Sequence, residues 1–277
     1  MADKTKVPGE GSGNKLWWLV GGLVVLVGIA LVAAAVANKK DTSDVPTGTD
    51  AQAVVDRATS VPQSVADQVG TGSVQAKPTK VDGEPLTKDG KPEVFYLGAE
   101  YCPYCATQRW AIIEALSRFG TFSDVGLTSS ATADVFPDTP TVSFHGSSYS
   151  SPYIAFSPVE TNTREPDGNG GYTTLDTPTA AQAALVQKYD EGGGIPFLDV
   201  ANQYVFSGVT YDPKTLEGMT AAEIADAMHD PKSDVAKGAI GSANIITATI
   251  CAATDNKPAK VCDTPAVRAA AAGLPTS

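Results

Sequence analysis

Two cysteines separated by two residues are the clearest chemical signature of this chain. Cys102 and Cys105 follow an apolar run, 95–99, and precede a segment, 106–119, whose apolar residues recur at helical spacing. A thiol at the start of a helix faces free backbone N–H groups and the positive end of the helix dipole, and both favour the thiolate. The spacing therefore predicts a dithiol redox site in which Cys102 is the nucleophile and Cys105 resolves the mixed disulfide.

Two other interpretations of this motif stay open. Four cysteines and two histidines are enough for a zinc site, although Cys251 and Cys262 lie far down the chain and lack a knuckle-like spacing. A purely structural disulfide is the other alternative, but so short a loop gains little from cross-linking. We expect neither a bound metal nor a cofactor.

The net charge and the number of cysteines limit the possible partners and the cellular compartment. The 277 residues carry a formal net charge of -11, which argues against a nucleic-acid-binding protein. An even cysteine count is consistent with an oxidising compartment. Cys251 and Cys262 are close enough in sequence to form a structural disulfide, and the alternative is a second dithiol that relays electrons to the first.

The N-terminal region predicts a membrane anchor. A polar tail, 1–15, precedes the uncharged run Leu16–Ala37, and about 20 apolar residues span a bilayer as a helix. Trp17 and Trp18 stand at one end of this run, where indole rings favour the membrane interface. We expect a single-pass protein of the cell membrane with a cytoplasmic N-terminus and an extracytoplasmic main domain. A cleaved signal peptide ending at Ala35-Val36-Ala37 is the alternative.

The remaining chain is organised as a polar linker, 38–50, and one domain, 51–277. Spaced apolar residues, turn dipeptides and capping residues predict its elements. These are helices on either side of Pro62, a ribbon over 74–91, a strand over 93–98, the helix after the dithiol, strands over 141–145 and 153–159, a Gly-rich loop over 162–172, a helix over 177–190 capped by Thr177, a hairpin over 194–208, and helices over 220–229, 235–253 and 266–272.

Ile195 and Pro196 form the second informative feature. A proline that follows a glycine turn and opens an apolar strand is a candidate for a cis peptide bond. Together with Ala99-Glu100-Tyr101-Cys102-x-x-Cys105 after a strand, this feature resembles the thioredoxin superfamily, over roughly 94–120 and 185–230. The resemblance implies an α/β, thioredoxin-like fold in which Ile195 and Pro196 lie beside the dithiol and seat an extended substrate.

The resemblance extends to details of the site and of the chain. The Pro-Tyr pair of the CPYC motif is similar to that of glutaredoxins, and it implies that Tyr101, Pro103 and Tyr104 line the substrate approach. The insertion 121–176 is similar in position to that of exported DsbA-type proteins, but it is strand-rich here, and a C-terminal helical extension follows the fold. The overall plan is similar to membrane-anchored thioredoxin-fold proteins of unassigned function from archaea and actinobacteria.

One departure from the superfamily bears on the chemistry. Tyr96 occupies the position where thioredoxins carry a buried acid that helps the second thiol to lose its proton, and Glu100 is nearer to the dithiol but is expected at the surface. We expect a membrane-anchored thiol–disulfide oxidoreductase acting on exported proteins. The alternatives are a non-catalytic accessory subunit of a membrane complex, such as a respiratory one, and a metal-delivery protein using His145 or His229.

Overall fold

A computed structural model describes residue 45 and residues 47–276. The predicted tail, the predicted transmembrane helix 16–37 and most of the linker lie outside the described residues. The described part is a mixed α/β structure. Its helices are α1 (Gly48–Ala58), α2 (Gln63–Val69), α3 (Pro103–Ser117), α4 (Ala180–Tyr189), α5 (Ala221–Ala227), α6 (Asp234–Ala253), α7 (Ala259–Cys262) and α8 (Pro265–Ala272), with a 3-10 turn at Pro213–Leu216.

The strands of the described residues are short except for the one that leads to the dithiol. They are β1 (Thr79–Lys80), β2 (Thr87–Lys88), β3 (Lys91–Gly98), β4 (Thr121–Ser123), β5 (Gly126–Ser129), β6 (Pro140–Ser143), β7 (Ser148–Ser150), β8 (Ala155–Glu160), β9 (Asn162–Pro166), β10 (Tyr172–Thr174), β11 (Phe197–Val200) and β12 (Tyr204–Ser207).

The central sheet is mixed and is built around β3. On one edge β3 pairs antiparallel with β11, which continues antiparallel to β12 and then to β1. On the other edge β3 pairs parallel with β8 over Glu93–Gly98. The short strand β2 pairs antiparallel with the first residues of β3, Lys91 and Pro92. The β2–β3 turn at Asp89 and Gly90 has positive φ at both residues, as expected for this hairpin dipeptide.

Side chains of β3 alternate between two cores, as the period of a strand requires. Tyr96 packs in the larger core, which contains Trp110 of α3 and the apolar residues of α6. Phe95 packs in the smaller core with Phe197 and with Val186 of α4. Burial on both faces explains why residues 94–98 of β3 form a continuous apolar run in the sequence rather than an alternating one.

Helix α6 is the long apolar helix of the larger core. In the described part of the chain it is the one helix whose length and composition would allow it to cross a bilayer. However, 89% of its most apolar 18-residue stretch is buried within the protein. The core helix of a globular domain passes the same test, and α6 packs against α3 and α8.

Three predicted elements differ from the observed ones. The helix expected over 177–190 begins at Ala180, because Thr179 and Gln182 form a reciprocal capping box, so Thr177 is not its N-cap. The expected loop over 162–172 contains the hairpin of β9 and β10. Strand β8 lies inside the expected insertion but belongs to the central sheet, so the added strands lie on either side of it.

Candidate functional site

The dithiol lies where β3 ends and α3 begins. Cys102 is the N-cap residue of α3, and its sulfur accepts a hydrogen bond from the backbone N–H of Cys105 at 3.2 Å. Pro103 occupies the first helical turn, where its missing N–H leaves no hydrogen bond unmade. Both cysteines are free thiols in this structure. The sequence thus places Cys102 at a helix N-terminus, where a thiolate is favoured.

The two thiols differ in how readily they lose a proton. The main cause that lowers the pKa of Cys102 is the side-chain hydrogen bond with Cys105. The backbone N–H groups of Cys105 and Tyr104 and the charge of Arg109 also lower this pKa, whereas burial acts to raise it. Burial raises the pKa of Cys105 well above its ordinary value, and the hydrogen bond to Cys102 raises it further. The surroundings of the site therefore favour ionisation of Cys102 over ionisation of Cys105.

Ile195 and Pro196 lie beside Cys102, although they are more than ninety residues away in sequence. The peptide bond between them is cis, and β11 begins directly after it. The carbonyl oxygen of Ile195 lies 4.0 Å from the sulfur of Cys102, within reach of a thiol hydrogen bond. The turn before β11 thus forms one wall of the dithiol site.

A buried ion pair lies below the dithiol turn. The guanidinium of Arg109 on α3 donates to the carboxylate of Glu160 on β8 at 2.7 and 2.6 Å, and both side chains are fully buried. The same guanidinium donates to the carbonyl of Ala99 in the dithiol turn at 2.7 Å. Burial alone would lower the pKa of Arg109, but the facing carboxylate of Glu160 raises it well above its usual value. Arg109 therefore stays charged and contributes to the lowered pKa of Cys102.

The ring of Tyr96 adjoins this ion pair. Its centroid lies 6.0 Å from the guanidinium carbon of Arg109, and its buried hydroxyl has no hydrogen-bond partner among the described residues. Burial is the main cause that raises the pKa of Tyr96 well above its usual value, so it stays neutral and cannot act as a base. The buried acid of the site is Glu160, on the strand parallel to the one that carries Tyr96.

Two aromatic pairs join the dithiol turn to the segments added to the fold. Tyr101 stacks on Tyr172 of β10 with ring centroids 4.2 Å apart, and Tyr104 meets the ring of Phe136 edge-on at 6.0 Å. Cys102 is 5% exposed, whereas Tyr104 is 40% exposed. The residues expected to line the approach, Tyr101, Pro103 and Tyr104, thus adjoin a cysteine that is itself buried.

With this geometry described, the chain can be compared with known proteins. The model of a family described as "Domain of unknown function (DUF929)" matches residues 77–252, well over half of the chain. The chain belongs to this family. No curated protein and no solved structure matches it.

The DUF929 region contains most of the candidate site. It includes the dithiol, Arg109, Glu160 and the Ile195–Pro196 turn, and it ends directly after Cys251. Cys262, which forms a disulfide with Cys251, lies just outside the match.

The Cys251–Cys262 disulfide joins the end of α6 to α7 and is buried. At the end of α3 away from the dithiol, the guanidinium of Arg118 donates to Asn244 and Thr247 of α6, and Cys251 lies one further turn along. The fifteen residues of α3 span about 22 Å at 1.5 Å per residue. The disulfide thus lies toward the opposite end of α3, an arrangement that favours a structural role over an electron relay.

The histidines lie in local polar contacts. His145 contacts the carboxylate of Asp176 at 3.0 Å, and a ring nitrogen of His229 lies 2.8 Å from the carbonyl oxygen of Arg57. Within residues 45 and 47–276, no group of three or more histidine, cysteine, aspartate or glutamate side chains could hold a metal ion.

Sequence reasoning missed Arg109 and Glu160. They are 51 residues apart, and each is a charged residue that a sequence pattern assigns to the surface. One sequence signal was available: Arg109 lies three residues after Ala106 and four before Ile113, within the apolar stripe of the helix, and a charge in such a stripe needs a partner.

Proposed function

We propose that this protein is a thiol–disulfide oxidoreductase with a thioredoxin-like fold, acting through Cys102 and Cys105. The observation that carries the proposal is the position of Cys102 as the N-cap of α3, where its sulfur accepts the backbone N–H of Cys105 beside the Ile195–Pro196 turn. The pKa of Cys102 is lowered at this position and that of Cys105 is raised. A thiolate is the attacking species in disulfide exchange.

The arrangement of the elements supports the proposed fold. The unit β3–α3–β8 is a pair of parallel strands joined by a connection containing a helix, and the dithiol stands at its first strand-to-helix turn. A C-x-x-C motif near such a βαβ pattern is typical of thioredoxin-like redox proteins. The antiparallel hairpin of β11 and β12 adds to the sheet beside β3 and carries the cis proline at its entrance.

The proposed exchange takes two steps. The Cys102 thiolate attacks one sulfur of a substrate disulfide, forms a mixed disulfide and releases the other substrate sulfur as a thiolate, which takes up a proton. Cys105 then loses its proton and attacks the sulfur of Cys102, which releases the second substrate thiolate. The protein dithiol is oxidised to a disulfide, the substrate disulfide is reduced to two thiols, and the reverse sequence oxidises a substrate dithiol.

The lowered pKa of Cys102 favours the oxidising direction. Stabilising the thiolate stabilises the reduced protein, and a dithiol whose reduced form is stabilised is a stronger oxidant of other thiols. Formation or isomerisation of disulfides in exported proteins fits this direction. The proposal includes a location at the cell membrane, which the apolar run Leu16–Ala37 favours. It also places the domain outside the cytoplasm, which the Cys251–Cys262 disulfide favours.

The reduction potential of the Cys102–Cys105 pair tests the proposal. The full-length chain is equilibrated with glutathione buffers, quenched with acid, alkylated and analysed by peptide mass spectrometry, which separates this pair from Cys251 and Cys262. We expect a potential above that of thioredoxin, about -270 mV, and toward that of protein disulfide isomerase, about -180 mV. A pair that does not exchange with glutathione at all contradicts the proposal.

A second candidate function is a non-catalytic accessory subunit of a membrane complex. The 5% exposure of Cys102 favours it, because a reactive cysteine usually lies in a partly exposed environment. Under this alternative the dithiol would stay unreactive toward small disulfides, so the glutathione experiment distinguishes the two functions.

A further inference from the structure

The surface beside the dithiol has an unusual apolar composition. Tyr104, 40% exposed, and Val135, 68% exposed, are the two exposed large hydrophobic residues of the described part of the chain. Phe136 links them, because it follows Val135 in sequence and its ring meets that of Tyr104 at 6.0 Å. We call Tyr104, Val135 and Phe136 the apolar rim. Single exposed apolar residues are ordinary, but these form one patch next to a buried reactive thiol.

The loop that carries the rim is fixed to the dithiol turn. The N–H of Ala131 donates to the carbonyl of Tyr101 at 2.9 Å. Ser130 donates to the carbonyl of Phe136 at 2.8 Å and accepts from the N–H of Thr139 at 2.9 Å. A surface held in this way loses little conformational entropy when it binds a partner.

Asp134 supplies a negative charge beside the rim. It is next to Val135 in the sequence and has no cationic partner among the residues that the structure describes, whereas Asp138 pairs with Arg164 at 2.6 Å. It lies near enough to Tyr101 to be one of the charges that raise the pKa of that residue, after burial, the two cysteines and Tyr172.

We propose that the apolar rim and Asp134 bind the side chains that flank the reacting cysteine of a protein substrate, one bulky and apolar and the other basic. This inference rests on the proposed exchange function and names its substrate class. The rim is continuous with the site through Tyr104, and Asp134 supplies the charge complementary to a lysine or arginine.

The expected preference follows from the size of these contacts. Burying a substrate leucine on the rim favours the reaction by about tenfold, and a partly exposed charge pair with Asp134 adds a factor of about two to five. In the measured step, the Cys102 thiolate attacks a peptide disulfide, forms one mixed disulfide and releases one peptide thiolate, which takes up a proton from water.

The test compares three probes with the full-length chain, kept in a non-ionic detergent because a transmembrane segment is predicted. The probes are the disulfide-linked dimer of a peptide with a Leu-Cys-Lys centre, the dimer of a peptide with a Ser-Cys-Glu centre, and hydroxyethyl disulfide, which has no flanking side chains. We expect the first to react more than tenfold faster than the second. Val135→Ser and Asp134→Asn should each lower the rate with the Leu-Cys-Lys peptide relative to that with hydroxyethyl disulfide.

Asp263→Asn is the matched control, because it removes the same charge from an exposed position beside the Cys251–Cys262 disulfide. It should leave all three rates unchanged. Equal rates with both peptides would overturn the inference. So would a Val135→Ser variant in which the ratio of the rate with the Leu-Cys-Lys peptide to that with hydroxyethyl disulfide is unchanged. Neither result would contradict the exchange function. A chain that reacts with none of the three disulfides would overturn both.

Discussion

At the residue scale, a buried cation acts on the pKa of Cys102 together with the backbone N–H groups at the start of α3. Arg109 is fully enclosed, contacts Glu160 and the Ala99 carbonyl, and contributes to lowering the pKa of the Cys102 thiol. A buried pair of this kind is strongly destabilised by loss of one member, because the other remains as an unpaired buried charge. A variant without Arg109 therefore has to be designed so that this loss of stability does not hide the effect of its charge on the pKa of Cys102.

Replacing both members at once separates the two effects. Arg109→Met or Glu160→Leu alone should each lower the free energy of unfolding by about 3–5 kcal/mol, whereas the double variant should recover most of that loss. In the double variant the pKa of Cys102 should rise, because the cationic contribution of Arg109 is gone. The pH dependence of alkylation by iodoacetamide measures this pKa, and urea unfolding measures the stability.

Glu114→Gln is the control for this series, since it removes another buried carboxyl from α3 near the far end of the helix. It should leave the pKa of Cys102 unaltered. An unchanged pKa in the double variant would mean that the field of Arg109 does not reach the sulfur.

At the scale of the element, α3 and α6 are joined by a buried polar cluster. Glu114 accepts a hydrogen bond from Arg118 at 3.2 Å, and Arg118 donates to Asn244 of α6 at 2.8 Å. Burial raises the pKa of the Glu114 carboxyl to about 7, although Arg118 and Ser117 act against that rise. The folded chain therefore keeps a proton on Glu114 at pH values where the unfolded chain has lost it.

This shift predicts a pH dependence of stability. Because the folded pKa lies above the unfolded value of about 4.3, the contribution of Glu114 is complete below pH 4 and is lost as the pH rises to 7. The loss amounts to about 4 kcal/mol, because the two pKa values differ by about 2.7 pH units and each unit corresponds to about 1.4 kcal/mol. The free energy of unfolding of Glu114→Gln, measured relative to that of the native chain, should be larger at pH 8 than at pH 4 by about that amount. Urea unfolding at both pH values measures it, and a difference that does not change with pH contradicts it.

The elements also mark what the sequence could and could not predict. Thr220 with Glu223, and the glycine turn before Ile195, have local signals, so α5 and the β11–β12 hairpin were found. The sequence favours Thr177 as the N-cap of α4, because a proline follows it and proline is common at the first helical position. The actual N-cap is Thr179. The β9–β10 hairpin has a local signal, the Asp167-Gly168 dipeptide of its turn, but its strands are short and polar and lack the apolar alternation of a strand. The pairing of β8 with β3 has no local signal, because it joins segments about sixty residues apart.

At the scale of the whole molecule, the predicted anchor determines where the dithiol would act. The run Leu16–Ala37 has the length and composition of a transmembrane helix, and a domain outside the cytoplasm would meet proteins whose disulfides are forming. If this run is retained, the site works at the membrane surface. If the chain is cut after Ala37, the site diffuses freely.

Deleting residues 16–37 should therefore release the protein from the membrane fraction. We expect the full-length chain to sediment with membranes and to resist extraction at alkaline pH, because about 20 apolar residues in a bilayer bind almost irreversibly. Deleting the polar tail 2–15 instead shortens the same end of the chain and leaves the run intact, so that variant should stay in the membrane. Mass spectrometry of the mature N-terminus completes the test: a chain that begins at residue 38 would show a cleaved signal peptide and contradict the anchor.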